Sequence, residues 1–422
     1  MKMAYVDLKY KPSKDDVICK YYLEPNGITF KKACEHIAAE SSIGTWTELT
    51  TLKPGTSDRL QARVFEVDEK KKTAVIAYPL PLFELGNTPD ILSSIAGNIF
   101  GMKAVKNLRL LDIGFPMKAV KSFKGPRFGI PGVRDVLKVY DRPLVGTIVK
   151  PKVGLDYKGH AKVAYEAWVG GLDIVKDDEN LTSQTFNPFE KRVKETLRLR
   201  DKAEKETGEK KVYMPNVTAE ATEMIRRAEF VRAQGGEYAM VDILTCGFSA
   251  LQTLRDVDLG LVLHAHRAGH AMLTRNKRHG MTMLTLAKLV RLVGLDQLHI
   301  GTIVGKMEGG KQEVIDIGRE IQDPFIEGHG DVLEQEWYGT KPVFPVCSGG
   351  LHPGHVPPIV KYLGRDIILQ AGGGCHGHPK GTCAGAAGMR QAVEAVMEGV
   401  TLKEYAKTHK ELKAALARWG EV

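Results

Sequence analysis

From Pro143 onward, short apolar runs alternate with helix-patterned stretches, and no other feature constrains the fold of this chain as tightly. Eight runs stand out: Pro143–Pro151, Leu172–Asp178, Lys211–Thr218, Tyr238–Leu244, Leu261–Arg267, Gln297–Gly301, Val343–Gly349 and Ile367–Gly372. Between them the spacing predicts helices such as His160–Val169, Pro188–Thr207, Met281–Val293 and Ala384–Met397. Eight βα units in roughly 280 residues have the length and count of a (β/α)8 TIM barrel. An open, doubly wound α/β sheet is the competing architecture, but the first βα turn carries no GxGxxG fingerprint. Leu402–Trp419 reads as an amphipathic helix packed on the outside of the barrel.

Residues 1–125 have a different rhythm and read as a smaller α+β domain ahead of a catalytic domain spanning 126–422. Arg63-Val-Phe-Glu-Val-Asp alternates as a strand does, and Thr73-Ala-Val-Ile-Ala-Tyr follows after a lysine-rich turn, so the pair predicts a hairpin. Lys31–Ala39 and Thr88–Ile99 read as helices, and Lys124-Gly-Pro-Arg-Phe-Gly-Ile-Pro-Gly as the connecting loop. With 43% hydrophobic and 26% charged residues the chain is ordinary for a soluble globular protein. Its net charge of +9 favours anionic partners. Basic runs are short: Lys70-Lys71-Lys72 stops at Thr73, and the other cations are mostly scattered among acids. That distribution leans away from nucleic acid and toward a phosphorylated metabolite. The six cysteines show no CxxC pair, no stretch reaches the length of a membrane span, and the polar start lacks a signal-like core. A cytoplasmic location is expected, with no membrane partner.

Barrel enzymes carry their chemistry at the C-terminal ends of the strands. The first run ends in Lys150-Pro151-Lys152, whose two ammonium groups, two residues apart, are expected on one face. The second ends in Lys176-Asp177-Asp178-Glu179. Two carboxylates supply oxygen ligands for Mg2+, but lysine is no magnesium ligand, so Lys176 is open to three readings: an ion pair, a Schiff-base nucleophile or a modified side chain. The fifth run ends in His264-Ala-His266-Arg267, with His270 beyond it, and His299 lies in the sixth. Acid–base work and phosphate binding suit this group better than a zinc site, because Arg267 would oppose a cation. Gly301–Gly310 places Lys306 among glycines, the composition of a lid. Ser348-Gly349-Gly350 and Gly372-Gly373-Gly374 end the last two runs, where this fold binds phosphate. A second anion site near Arg267 and His299 predicts a bisphosphate ligand.

These motifs resemble the large subunit of ribulose-1,5-bisphosphate carboxylase/oxygenase (RuBisCO), and within it the archaeal form III enzymes, over nearly the full length. The likeness rests on Gly146-Thr-Ile-Val-Lys-Pro-Lys-Val-Gly-Leu155, Gly170-Gly-Leu-Asp-Ile-Val-Lys-Asp-Asp-Glu179, His266-Arg-Ala-Gly-His270, Gly301–Gly309 and the two glycine clusters, in that order. The resemblance implies that Lys176 becomes a carbamate by reaction with CO2 and, with Asp178 and Glu179, holds one Mg2+ per site. It implies catalytic roles for Lys150, Lys176, His266 and Lys306, with Lys152 in support. It gives Arg267 and His299 to one phosphate and Gly349, Gly350, Gly372 and Gly373 to the other, with Ser348 near substrate hydroxyls. Glu40, Thr45, Trp46 and Asn98 resemble residues that the first domain lends to a neighbouring subunit's site. The implied partners are ribulose 1,5-bisphosphate, CO2 and O2, the assembly a homodimer or larger, without a small subunit. The implied setting is nucleoside monophosphate salvage or related carbon assimilation. One departure is Ile148, where plant-type enzymes carry Thr two residues before the first barrel lysine.

Two other functions are weighed against this one. RuBisCO-like enolases and isomerases keep the fold and metal site but typically lose parts of the phosphate site or the lid lysine, whereas Lys150, Lys306, Thr45, Trp46 and His299 are all present here. A basic nucleic-acid-binding protein would show a continuous Lys/Arg stripe, and the sequence offers none.

Overall fold

The computed structural model describes residues 4–45, 50–53, 55–304 and 310–422. The chain divides into two compact units. The first comprises the residues up to Gly125 with Gly269–Val293 and Asp323–Thr340; the second comprises Pro126–Ala268, Gly294–Gln322 and Lys341–Val422.

In the second unit all eight runs form parallel strands: β1 (Leu144–Ile148), β2 (Ile174–Lys176), β3 (Val212–Met214), β4 (Tyr238–Asp242), β5 (Val262–His266), β6 (Gln297–Gly301), β7 (Phe344–Ser348) and β8 (Ile368–Gln370). They pair in the order β3-β2-β1-β8-β7-β6-β5-β4. A parallel bridge between Asn216 and Met240 joins the two ends of that row, with Met240 N donating to Pro215 O at 2.9 Å and Val217 N to Met240 O at 3.0 Å. The ring is thus a nearly closed barrel, as the alternation predicted.

The strands are shorter than the apolar runs that announced them. A proline accounts for one of the early stops: Pro215 has no N–H to donate to a ladder, and β3 ends at Met214, while β1 ends at Ile148, short of the Lys150-Pro151 pair. The expectation that strand alternation sets Lys150 and Lys152 on one face is therefore corrected, since both lie past the end of β1. Asp178 likewise follows β2 rather than belonging to it.

A helix at Gly129–Leu137 closes the N-terminal end of the barrel, where the sequence predicted loop as far as Gly132. Pro131 is tolerated because it falls in the helix's first turn, where its missing N–H has no partner to lose. Ile130, Val133 and Leu137 form one apolar stripe against the first residues of seven strands: Leu144, Ile174, Val212, Tyr238, Val262, Phe344 and Ile368. The start of this helix is held by Asp296, buried just before β6. Its Oδ1 accepts from Phe128 N at 2.6 Å and Gly129 N at 2.9 Å, and its Oδ2 from Leu263 N at 3.0 Å. Burial raises the pKa of this carboxyl against the pull of those three donors. The outer helices follow the predicted spans closely, as with Tyr157–Val169, Phe189–Thr207 and Gly381–Met397. Leu402–Trp419 is a correction: it breaks into Leu402–Tyr405 and Lys410–Trp419. The carbonyl of Tyr405 is taken by the Thr408 hydroxyl at 3.3 Å and His409 Nδ1 at 2.8 Å, side-chain bonds that compete with the helical ladder.

The first unit is built on a five-stranded sheet ordered 280–281, 105–114, 17–25, 73–78, 63–68. The predicted hairpin is present, with Arg63 opposite Ala77 and Asp68 opposite Thr73. Phe30–Glu40 is helical as expected, but the helix predicted over Thr88–Ile99 stops at Ile95 and a 3-10 turn follows at Asn98–Gly101. Gly97 makes that turn possible, since a Cβ there would lie 2.0 Å from Ser93 O. Met283–Val293 packs on the 105–114 strand, where Lys288 Nζ meets Asp112 Oδ2 at 2.8 Å with both side chains fully buried. Among the described residues no helix is long and apolar enough to cross a membrane.

Because one carboxylate serves three N–H groups, two of them buried, at the start of the floor helix and in β5, Asp296→Ala should cost about 2–4 kcal/mol. A lowered urea midpoint with an unchanged slope is the expected result in equilibrium unfolding.

Candidate active site at the C-terminal ends of the barrel strands

β2 delivers Lys176 into the barrel with no exposed surface. Its Nζ donates to Asp177 O at 2.8 Å and approaches Met240 Sδ at 3.2 Å. A carbonyl and a thioether are poor compensation for the lost hydration of an ammonium. Burial accordingly lowers its pKa, against the opposing pull of Glu179, Asp178 and Asp242.

Successive side chains after Lys176 face different surroundings. Asp177 enters a buried polar cluster, accepting from Tyr213 Oη at 2.6 Å, Asn216 N at 2.9 Å and Arg192 Nε at 3.1 Å, with His160 Nε2 also at 3.1 Å. Burial would raise this carboxyl's pKa, yet Arg192 and then His160 hold it well below the usual range. Asp178 turns back to Lys150, whose Nζ lies 2.6 Å from Oδ2. Glu179 faces Lys152 Nζ at 3.4 Å and His266 Nε2 at 3.6 Å. Burial pushes the Glu179 pKa up, but His266, Lys176 and Lys152 outweigh it and carry it down to about 2. Asn216 Nδ2 braces the backbone here, 3.4 Å from Asp178 O and 3.2 Å from Glu179 O. On the other ring nitrogen, His266 Nδ1 meets Asp242 Oδ1 at 2.8 Å.

Beside this network lies a second one. The His266 and His299 rings meet edge to face with centroids 4.8 Å apart. Both nitrogens of His299 are engaged, Nε2 with His264 Nε2 at 2.9 Å and Nδ1 with Ser348 Oγ at 2.7 Å. Burial lowers the His264 pKa to about 3 and that of His299 well below its ordinary value. Arg267 is half-buried, and desolvation lowers its pKa to about 10 despite Glu313. Gly301 (φ +94°) makes room for its guanidinium, which a Cβ there would meet at 2.8 Å. After β7, Gly349 and Gly350 have φ of +119° and +84°, a backbone that L side chains rarely adopt. A Cβ on Gly372 would press on Lys150 Cε at 3.2 Å.

Lys150, Lys152, Lys176, Asp178, Glu179 and His266 therefore form one charged network, with His299 and Ser348 in the adjoining one. In the first unit Glu40 and Asn98 line one surface depression with Gly97 and Gly101, and Thr45 is exposed. Lys306 and Trp46 lie outside the described residues. Sequence reading passed over Asp242 and Asn216, although each falls at or just past the end of a recognised strand, where polar residues should be suspected. It also missed Met240, which looks like ordinary core.

No group of three or more His, Cys, Asp or Glu side chains among the described residues is placed to hold a metal ion. Asp178 and Glu179 offer hard oxygen donors suited to Mg2+, and an unmodified Lys176 adds none. Converting its Nζ to a carbamate would add a third anionic donor, and the weak solvation of that nitrogen is the observation that fits such a change.

Residues 129–419 match the family described as "Ribulose bisphosphate carboxylase large chain, catalytic domain", and residues 4–119 match its N-terminal domain. The chain belongs to the RuBisCO large-chain family. A ribulose bisphosphate carboxylase of Methanocaldococcus jannaschii is 55% identical over 426 residues, covering 99% of this chain and 100% of that protein. One from Pyrococcus abyssi is 50% identical over 422 residues, covering 99% and 96%. Among solved structures, a dimeric archaeal Rubisco from Hyperthermus butylicus aligns with a TM-score of 0.94 at 47% identity, covering 99% of each chain. An octameric Rubisco from Pyrococcus horikoshii, in complex with sulfate, aligns with a TM-score of 0.92 at 49% identity, covering 99% of this chain and 96% of that one. The RuBisCO fold and both of its large-chain domains are thus present.

Arg192 neutralises the fully buried Asp177, so Arg192→Met should destabilise the RuBisCO barrel by about 3–5 kcal/mol, the usual cost of stranding a buried charge. Adding Asp177→Asn should recover part of that loss in the same unfolding measurement.

Proposed function

We propose that the protein is a ribulose-1,5-bisphosphate carboxylase/oxygenase, joining CO2 and water to ribulose 1,5-bisphosphate to give two molecules of 3-phosphoglycerate, with O2 as a side substrate. The observation that carries the proposal is Lys176: a fully buried lysine whose charged form is disfavoured, with the carboxylates of Asp178 and Glu179 two and three residues on, in a chain of this family. Carbamylated by a CO2 distinct from the substrate, Lys176 would join Asp178 and Glu179 as ligands of one Mg2+. That ion, when bound, supplies Lewis-acid stabilisation of negative charge on the substrate's oxygens.

The chain's own groups divide the remaining work. The carbamate oxygen of Lys176 assists removal of the C3 proton, giving the enediol. Lys150 stands at the neighbouring C2 position as acid and base, its Nζ held by Asp178 at 2.6 Å. CO2 bonds to C2 and water adds to C3; the C2–C3 bond then breaks, and Lys150 returns a proton to the carbanion left at C2. Lys152 and His266, both directed at Glu179, keep that carboxylate ionised and oriented. Lys306 is assigned to the carboxylate that forms as CO2 adds.

Arg267 is assigned to one phosphate, with the His299 ring lining that site rather than donating to it, and the backbone around Gly349, Gly350, Gly372 and Gly373 to the other, with Ser348 at the substrate hydroxyls. Glu40, Thr45, Trp46 and Asn98 would complete the site of a second copy, making the working unit a homodimer or an assembly of dimers without a small subunit. Dimeric and octameric relatives support that reading. Nucleoside monophosphate salvage is the proposed setting, within the cytoplasm.

Purified protein preincubated with CO2 and Mg2+ should fix labelled CO2 into 3-phosphoglycerate under anaerobic conditions. Lys176→Arg should keep the fold while losing CO2-dependent activation and tight Mg2+ binding. Absence of labelled product from the unmodified protein would overturn the assignment.

A further inference from the structure

Four side chains in the barrel form a single file of hydrogen bonds, from Gln297 at the start of β6 to Ser348 at the end of β7. Gln297 Oε1 lies 2.8 Å from His264 Nδ1, His264 Nε2 lies 2.9 Å from His299 Nε2, and His299 Nδ1 lies 2.7 Å from Ser348 Oγ. Gln297 and His264 have no exposed surface and His299 has 3%. Water therefore has little access with which to substitute for a lost partner.

The direction of every proton in this file follows from its first member. An amide oxygen only accepts, so His264 Nδ1 must carry hydrogen and donate. A neutral imidazole holds one N–H, which makes His264 Nε2 an acceptor, and His299 Nε2 must donate to it. His299 Nδ1 is then bare and accepts from the Ser348 hydroxyl. Both rings are kept neutral by desolvation, reinforced by the charge of Lys176. Turning the Gln297 amide end for end would reverse every donor in the file, so the amide selects between two polarities.

We propose that Gln297 and His264 are positioning residues that fix His299 as its Nε2–H tautomer, so that Ser348 meets the substrate as a hydrogen-bond acceptor. With its proton committed to His299, Ser348 offers only lone pairs to the mouth. It favours a sugar hydroxyl, which donates, over a phosphate oxygen, which accepts. Ser348 is half-buried. Neither Gln297 nor His264 needs to touch the ligand for this; they act through His299. The consequence for substrate rests on the carboxylase reading, but the proton positions do not.

Neutron diffraction from deuterium-exchanged crystals of the full chain reads the file without turnover. Deuterium is expected on His264 Nδ1, on His299 Nε2, and on Ser348 Oγ directed at His299 Nδ1. Deuterium on His299 Nδ1 would overturn the proposal, whether or not the protein fixes CO2. Gln297→Met removes the selecting acceptor. Deuterium on His299 should then divide between both nitrogens, and the KM for ribulose bisphosphate should rise at least about twofold as the competent fraction falls to about half, with kcat little changed. Gln297→Glu, which accepts the same proton, should restore both readouts. A folded Gln297→Met protein with deuterium only on Nε2 and an unaltered KM would remove Gln297 from the role. Should that variant fail to fold, the unmodified crystal still decides the polarity.

Discussion

The whole site hangs on one buried carboxylate that performs no chemistry. Asp177 gathers a guanidinium, a phenol, an imidazole and a backbone N–H behind the end of β2. Each contact fixes the chain at the residue between Lys176 and Asp178, so the backbone must pass through one place in one orientation. A buried ion pair of this kind contributes little net stability against a well-packed apolar alternative. Its value lies in specifying geometry: with Asp177 anchored outward, Lys176 is committed to the barrel interior and Asp178 to Lys150. The carbonyls of Asp178 and Glu179 are then braced from the next strand by Asn216. Without that anchor, two carboxylates and three lysines at the rim would be a flexible ion cluster with many arrangements of similar energy.

The number and order of the barrel strands were legible in the sequence because each run is apolar, short and bounded by helical spacing. Strand ends were less so. Apolar character persists past the point where the ladder stops, and Pro215 alone marked a boundary locally. That mattered at the site. The argument that Lys150 and Lys152 share a strand face reached a useful grouping by a mechanism the fold does not use; neighbouring carboxylates on the next loop, rather than pleat, face the two ammonium groups. The helix at Gly129–Leu137 was hidden because its Gly and Pro residues signal a turn, while its apolar stripe is complete only when the barrel floor is there to receive it. The break within Leu402–Trp419 was hidden for the opposite reason, since the side-chain bonds that interrupt it join residues whose composition is helical.

Within the site, residues that act by charge were readable and those that act by support were not. Lys150, Lys176, Asp178, Glu179, His266 and Arg267 fall where the barrel displays them and announce themselves by type. Asp242 lies at the end of β4, inside a run that otherwise reads as core, and its importance appears only when His266 is found resting on it. Met240 and Gln297 give still less warning, because a thioether or an amide in a strand is unremarkable until its neighbour is a buried amine or imidazole. Sequence carries a residue's chemistry, but not which buried partner depends on it.

The electrostatics of the interior tie these supports together. Lys176 disfavours charge on both His264 and His299, and His264 and His266 add to the cost of protonating His299. At the lysine itself burial disfavours the charge, while Glu179, Asp178 and Asp242 favour it. An anionic group on Lys176 would reverse the sign of its influence on the histidines while repelling the same three carboxylates. A bound divalent cation would relieve that repulsion, so modification and metal binding must be coupled through the field they share. Desolvation is the largest cause of the lowered pKa in both histidines, which leaves the proton order of the file to be set by Gln297 rather than by the charge on the lysine beside it.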